Sequence, residues 1–572
     1  MMELPVTPGI LLTLCSLVAV VLPCPDGCLC SDKEAKCSEL SDFPKSLNAS
    51  TTKLGISTST FESLKPEDFT HFSSALRQLI ISKSALREVQ PGTFDSTPDM
   101  VQLMIFGTEL QDLPESVFQH LQKLDLLNLG SNKLVVVRPQ WFSQLENLKA
   151  LDLSKNRITS VPGTTFHSLS NLHSLSLSVN NITSLFRDTF KGLSKLQLLR
   201  LNKNMLQELA DGIFDDLVNV KELSLHDNRL VQLHRDLFSK TLQLQKLFLS
   251  NNHLTFLSPG IFSNLPSLSQ ISLHKNQLMS LDPGVFGPMP LKELWLYDNM
   301  LSRLEDDTFR NLTQLQLLVL SRNRISYVSA GAFKGLTQLG EVSLHTNLLT
   351  TIEPGTFQEL PRLVNISLEH NFIESLPSGF LQGVSHLEQI DLHNNSLPNL
   401  AQETLAAFSV AREILLQQNP WRCDRDIIPL RDWLIHNPSK VNQTTVVCET
   451  PLILFGERIA MLTDEDLFTH NPTEQSVLTS TEKRRKPNTP RPKRSTPSPA
   501  IKTTPDSETE DATSSGQEED GATSCNNTAV ILIITAVVST LVISIFIISC
   551  VCWRRKKRGK GEIGRQNKNS VL

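Results

Sequence analysis

Ten cysteines punctuate the 572-residue chain, and their spacing is where covalent or metal chemistry would first be sought. Cys24, Cys28, Cys30 and Cys37 form C-x3-C-x-C-x6-C. Four thiolates this close could hold a zinc ion or close two disulfides, and the compartment decides between them. Ahead of them runs "ILLTLCSLVAVVL" (Ile10–Leu22), about the length of a signal-peptide core and too short to span a bilayer. Glu3 and the lack of Lys or Arg before the run depart from the usual pattern, yet residues 1–23 read as a secretory signal cleaved within 19–23. Secretion places the four cysteines in an oxidising compartment, which favours disulfides over zinc. No G-x-S-x-G elbow, phosphate loop or zinc-binding helix occurs, so the expectation is a protein that is not an enzyme and uses no cofactor. The formal net charge of -5 names no nucleic-acid partner.

Surfaces must then carry the function, and a repeat organises them. In "LKALDLSKNRITSVPGTTFHSL" (Leu148–Leu169) the apolar positions follow L-x-x-L-x-L-x-x-N-x-L-x-x-L-x-x-x-x-F-x-x-L, the leucine-rich repeat pattern. The asparagine recurs at 132, 156, 180, 204, 228, 252, 276, 299, 323, 347, 371, 395 and 419, in steps of 24 broken once by 23. Ser59, Ser84 and Thr108 take that place in three weaker, less regular units, making sixteen strand units in all. Alternating leucines such as Leu151 and Leu153 turn one face of a short strand inward, and an inward asparagine satisfies the turn that follows. Phe166, Phe190, Phe214, Phe238 and Phe262 fill the convex side. No single repeat buries a core, but stacking does, which predicts an α/β solenoid. At ~4.8 Å per strand sixteen units give an arc of ~75 Å, with a parallel sheet on the concave face and short or irregular helices on the convex side.

On this frame Phe248, His274, Trp295 and Tyr297 fall on outward strand positions of near neighbours. Rigidly held aromatics are what protein-binding hot spots use, so these four are the candidate contact residues, against the plainer reading of tolerated surface aromatics. His226, His274, His345 and His393 share one strand position. A pH-sensitive or metal-binding row is one reading. Tyr297, Ser321 and Glu369 interrupt that row, the spacing is too wide for one metal, and a solvated polar face is favoured. Glycan acceptor sequons stand at Asn48, Asn181, Asn311, Asn365, Asn394 and Asn442, with Asn526 beside the membrane.

Caps and Phe-bearing 24-residue repeats, with "FGPMPLKELWLYDN" (Phe286–Asn299), "LSRNRISYVSAGAF" (Leu320–Phe333) and "NPWRCDRDIIPLRDWL" (Asn419–Leu434), resemble a vertebrate leucine-rich repeat group. That group contains leucine-rich repeat-containing protein 15, platelet glycoprotein V and the carboxypeptidase N regulatory subunit. The likeness runs from about Cys24 to Leu467 and is strongest to the branch of the first. It implies a cell-surface receptor for matrix proteins such as collagen, fibronectin or laminin, active in adhesion and migration. A non-adhesive regulatory or escort subunit of another membrane receptor is the alternative, suggested by the short tail and the spare Cys525.

The resemblance also frames the C-terminal cap, which in such proteins opens Cys-x-Cys and holds four cysteines. Here Arg425 takes the second place, and "GERIAMLTDEDLFTHNP" lacks the fourth. Both halves of one bridge are missing together, which leaves Cys423–Cys448 as the expected disulfide and Trp421, Leu430, Trp433 and Leu434 as an apolar lid. Cys525 is then the unpaired ectodomain thiol, where a homodimer is expected.

The domain order expected is signal 1–23, N-terminal cysteine cap 24–50, repeats 51–418 (about fifteen and a terminal strand), C-terminal cap 419–469, Ser/Thr/Pro-rich stalk 470–528, transmembrane helix 529–553 and cytoplasmic tail 554–572. The span "AVILIITAVVSTLVISIFIISCVCW" would measure ~37 Å as a helix, and "RRKKRGK" after it marks the cytoplasmic side. That predicts a single-pass type I protein of the plasma membrane. Cys550 and Cys552 at its inner edge are candidates for palmitoylation, and Ser570, Val571 and Leu572 fit a PDZ ligand. In the stalk "RPKR" places Arg494 before Ser495, a match to proprotein-convertase sites that competes with a plain solvated linker. If it is cut, ectodomain appears in the medium and Arg494→Ala abolishes that fraction; an unchanged fraction leaves only the linker.

Overall fold

The computed structural model describes residues 24–468. The expected signal peptide, stalk, convertase site at Arg494–Ser495, lone Cys525, membrane span, Cys550 and Cys552, and C-terminal Ser570–Leu572 lie outside the described residues. Among the described residues no helix is long and apolar enough to cross a membrane.

One sheet of eighteen strands runs the length of this unit. Sixteen of them are the repeat strands, each paired in parallel to the next with the repeat period as register, as in Leu223↔Leu247↔Ile271↔Leu294. The other two belong to the N-terminal cap. Cys28–Cys30 pairs antiparallel with Glu34–Ser38, which in turn pairs in parallel with Lys53–Ser57. The cap therefore continues the ladder instead of merely covering its end. Disulfides Cys24–Cys30 and Cys28–Cys37 hold it.

The inward leucines form one continuous core. Behind them Phe190, Phe214, Phe238, Phe262, Phe286, Phe309, Phe333 and Phe357 stack with ring centroids 5.9–6.5 Å apart. Strands advance only about 4.8 Å per unit. A spine that advances further per repeat than the sheet bends the solenoid, with the sheet on the inner face. Within the repeats the residues opposite the sheet are turns and short 3-10 segments such as Pro139–Phe142 and Arg187–Phe190, since the chain must return within one repeat. α-Helix is confined to Gln402–Ala407, Ile428–His436 and Asp464–Phe468 among the described residues, so the helical part of the expected α/β character belongs to the last repeat and the cap.

The asparagines bind repeat to repeat. Asn252 Nδ2 donates to Leu249 O (3.0 Å) of its own repeat and to Leu225 O (3.1 Å) of the preceding one, while its Oδ1 accepts from Leu230 N (3.0 Å). The same three bonds recur at Asn180, Asn276 and Asn419. They offset a strain, because the residue before each asparagine sits in the left-handed region, for example Lys203 (φ 57), Asn251 (φ 54) and even Val179 (φ 57). Such a conformation costs about 1–2 kcal/mol for a residue with a Cβ. In the weaker N-terminal units the hydroxyls do less. Ser84 Oγ donates to Ser82 O and accepts from Ser59 N, and reaches no carbonyl of the preceding repeat.

The 23-residue step has a local signature. Gly287 packs so closely on the preceding repeat that a Cβ there would lie 2.5 Å from the Ser263 Cα, so the shortened turn accepts only glycine.

The C-terminal cap is closed by Cys423–Cys448 and filled by Trp421, Ile427, Leu430 and Leu434, all buried. Trp433 packs on Phe408, with ring centroids 5.8 Å apart. Arg425 occupies the place of the absent cysteine, and its guanidinium lies over the Phe468 ring at 4.7 Å. Arg431 bonds Asp464 at 2.6 Å. A cation–π contact and an ion pair thus tie the two segments that a second disulfide would join.

Replacing Asn252 by Ala leaves the buried Leu230 amide unpaired and removes one of the two asparagine bonds at each of Leu225 O and Leu249 O, and should cost about 1–3 kcal/mol in urea denaturation, with faster hydrogen exchange at the Leu230 amide. His253→Ala on the exposed side should cost far less; equal losses would sink the ladder argument. In a double-mutant cycle Arg425→Gln and Phe468→Ala should couple by about 0.5–1 kcal/mol, and additive effects would deny the contact any role.

Candidate binding surface

The four aromatic candidates are half-buried on the sheet's outward positions. In the strands Lys246–Phe248, Gln270–Ser272, Glu293–Trp295 and Leu317–Val319 the central residues Leu247, Ile271, Leu294 and Leu318 point inward. Their flanking residues therefore face out. Register places Phe248, Ser272, Trp295 and Val319 in one row across four strands.

Three candidates come together. His274 stacks on Tyr297 with ring centroids 4.4 Å apart and planes 11° apart, and stands 6.4 Å from Trp295. Phe248 does not join them directly, because buried Ser272 lies between it and Trp295. Phe248 instead meets His226 edge to face at 6.1 Å. Two strand spacings of about 4.8 Å separate the Phe248 and Trp295 backbones, with Ser272 between them and its Oγ 3.2 Å from His274 Nδ1.

Arg322 completes the patch. Its guanidinium lies 5.2 Å from the Tyr297 ring and is fixed by two bonds to Asp298, at 2.6 and 3.0 Å. Val319 and Leu317 continue the apolar surface on the next strand. Sequence reasoning placed His226 only in the histidine row and missed Leu317, Val319 and Arg322; reading outward strand positions in register would have found Leu317 and Val319, whereas Arg322 stands on the turn. Sequence reasoning also missed an N-terminal apolar group on the same face, where Ile80, Met104 and Phe106 are half-buried on the strands Gln78–Ser82 and Gln102–Phe106. Gly55 lies beside Ile80 with no side chain to cover it.

The histidine row does not act as one unit. His274 belongs to the aromatic patch and His226 to Phe248, while His393 bonds Asp391 at 2.6 Å and packs edge to face on His370. Glu369 lies in the row between His345 and His393, with Oε2 buried and unpartnered. Burial pushes its carboxyl above the usual range, and Asp391 adds to that. Burial lowers the imidazoles of His226, His274 and His345. Among the described residues no group of His, Cys, Asp or Glu is arranged to hold a metal ion.

The sequons fall in different places. Asn365 lies on a sheet strand, Asn181 and Asn394 are exposed on the turn edge, and Asn48 and Asn442 are exposed in the two caps. Asn311 is exposed and its Nδ2 donates to Phe286 O at 3.1 Å.

A parallel sheet with a discrete aromatic patch on its outward face defines a repeat scaffold. The leucine rich repeat family model matches nine overlapping segments spanning residues 100–420, more than half of the chain, and the chain belongs to that family. Human leucine-rich repeat-containing protein 15 is 44% identical over 45 residues, 8% of this chain and 8% of the relative. The human platelet glycoprotein Ib beta chain is 35% identical over 63 residues, 11% of this chain and 31% of the relative. The matches thus span less than a third of these relatives' lengths. Among solved structures the LRIM1/APL1C complex aligns with TM-score 0.52 and 20% identity over 67% of this chain and 66% of that one, a likeness of fold.

The depressed imidazoles set a direction for pH. A histidine held below its ordinary value of 6.5 favours the neutral form in the native state. The unfolded chain then binds more protons as pH falls below that value, so native stability is complete above it and declines on acidification. Between about pH 7 and about pH 5.5 the repeats around His226 and His274 should lose hydrogen-exchange protection, and His226→Gln with His274→Gln should flatten that loss. An unchanged pH response in the double variant would contradict it.

Proposed function

We propose that the chain is a cell-surface receptor, anchored in the plasma membrane by residues 529–553, that binds extracellular protein ligands through the sheet face. The ligand class is matrix protein, with collagen, fibronectin and laminin as first candidates, and the cellular role is adhesion and migration. The observation that carries the reading is the outward cluster of His274, Trp295 and Tyr297, braced by Arg322, with Phe248 two strands from Trp295. Aromatic groups already fixed by their neighbours lose little entropy on binding, and the sheet beneath them is rigid. Disulfide-held caps agree with an extracellular setting.

A second reading keeps the membrane anchor but makes the partner a neighbouring membrane protein. It rests on the C-terminal cap, where Leu452 is 86% exposed, and Ile453 and Met461 are each 68% exposed. Apolar side chains displayed so fully suit lateral association.

Cells expressing the full-length chain should adhere to at least one matrix protein of the panel. Trp295→Ala and Tyr297→Ala should each weaken that binding about 10- to 30-fold while leaving the melting transition unchanged. Adhesion insensitive to both, but lost in Leu452→Ser with Ile453→Ser, would transfer the function to the cap.

A further inference from the structure

A second surface follows the asparagine turns and does not depend on the aromatic patch. The residues flanking each asparagine are stacked from repeat to repeat by backbone bonds. Lys203 N donates to His226 O (3.0 Å), Lys275 N to Tyr297 O (2.9 Å), Arg229 N to Leu206 O (2.8 Å) and Arg324 N to Leu301 O (2.9 Å). They therefore form a continuous edge beside the sheet.

Between the repeats of Asn204 and Asn323 this edge carries Lys203, Arg229, Lys275, Arg322 and Arg324, all exposed, against the two carboxylates of Asp227 and Asp298. Arg322 engages Asp298 at 2.6 Å, and Asp227 faces His226 at 3.8 Å. Lys203, Arg229, Lys275 and Arg324 make no ion pair among the described residues. The edge is thus basic on a chain whose formal net charge is -5.

Neither backbone nor packing asks for these cations. Lys203, Lys275 and Arg322 have φ of 57, 55 and 51, where glycine and asparagine are favoured over long side chains. Their side chains are exposed, so no core contact selects them. What remains is outward charge repeated along one edge. Five repeat steps separate Lys203 from Arg324, about 24 Å along the edge. The positions between them include Asn251, His253 and Gln277, and the apolar ones are the separate, half-buried Met205 and Met300, which form no continuous apolar centre for a folded protein partner.

We propose that the edge from Lys203 to Arg324 binds a sulfated glycosaminoglycan. A linear extracellular polyanion matches the row in shape, charge and compartment. Its sulfates meet the unpaired ammonium and guanidinium groups while the sheet face stays open to a protein ligand. Asn181 stands on the same edge, one repeat before Lys203, and a glycan there would limit the site on that side, so Lys155 and Arg157 are left out of it.

The test uses the full-length chain in detergent on immobilised heparin, with fully desulfated heparin as the comparison surface. The variant Lys203→Glu, Arg229→Glu, Lys275→Glu, Arg324→Glu should bind at least about 10-fold more weakly, with a flatter dependence on salt. A variant of the same net charge on the opposite side, Lys191→Glu, Lys195→Glu, Lys240→Glu, Lys334→Glu, should retain binding, as should Trp295→Ala. Equal loss in both charge variants, full retention in the edge variant, or equal binding to desulfated heparin would each overturn the proposal. Single Gln substitutions at the four edge positions supply the same readout if the quadruple variant does not fold.

Discussion

Everything in this molecule depends on a carboxamide shared between repeats. Each ladder asparagine bonds one carbonyl of its own repeat, one carbonyl of the repeat before it, and one amide of that neighbour, as at Asn252. The bonds are made where water is excluded, so leaving them unmade costs the full desolvation of the backbone groups. They also hold a left-handed residue at every turn, which most side chains would avoid. Because each bond set joins neighbours, order in one repeat is order imposed on the next. The leucine core and the phenylalanine spine add burial without direction; the ladder supplies the direction.

That division explains what could be read from the sequence. The period of the asparagines, the inward leucines and the spine phenylalanines are one-dimensional facts, and the solenoid follows from them. The N-terminal cap's role as an extra pair of strands was hidden, because Glu34–Ser38 has neither the asparagine nor the leucine spacing of the repeats. The Trp295–Tyr297 strand was legible from its alternation, and its stacking with His274 needed only the register between neighbours. Arg322 was not legible, since nothing in its own repeat announces that it reaches back over Tyr297. Ile80, Met104 and Phe106 were overlooked for a different reason. Their repeats lack the asparagine, so the ladder period does not mark them.

The C-terminal cap shows how local chemistry can replace a covalent bond. Loss of a four-cysteine pattern would ordinarily leave a loop of the cap free to fray. Here Arg425 stacks on Phe468 and Arg431 bonds Asp464, so both ends of the missing bridge are still tethered. These contacts are individually weaker than a disulfide and do not depend on redox conditions. The sequence announced the absence of cysteine, but only the fold could show what stands in its place.

A repeat built on a buried ladder leaves specific positions uncommitted. The inward leucines, the asparagine and the spine phenylalanine of each unit are fixed by packing, whereas the outward strand positions and the residues flanking the asparagine are not. The aromatic patch occupies the first set and the basic edge the second. Since Tyr297 and Lys275 belong to adjoining repeats and are linked by a backbone bond of 2.9 Å, the two surfaces meet along one border. Arg322 belongs to both, over the Tyr297 ring with its side chain held by Asp298. A partner settled on the sheet and a polyanion on the edge would therefore meet at Arg322. Coupling between the two would run through that guanidinium, the ring beneath it and the Lys275–Tyr297 backbone bond.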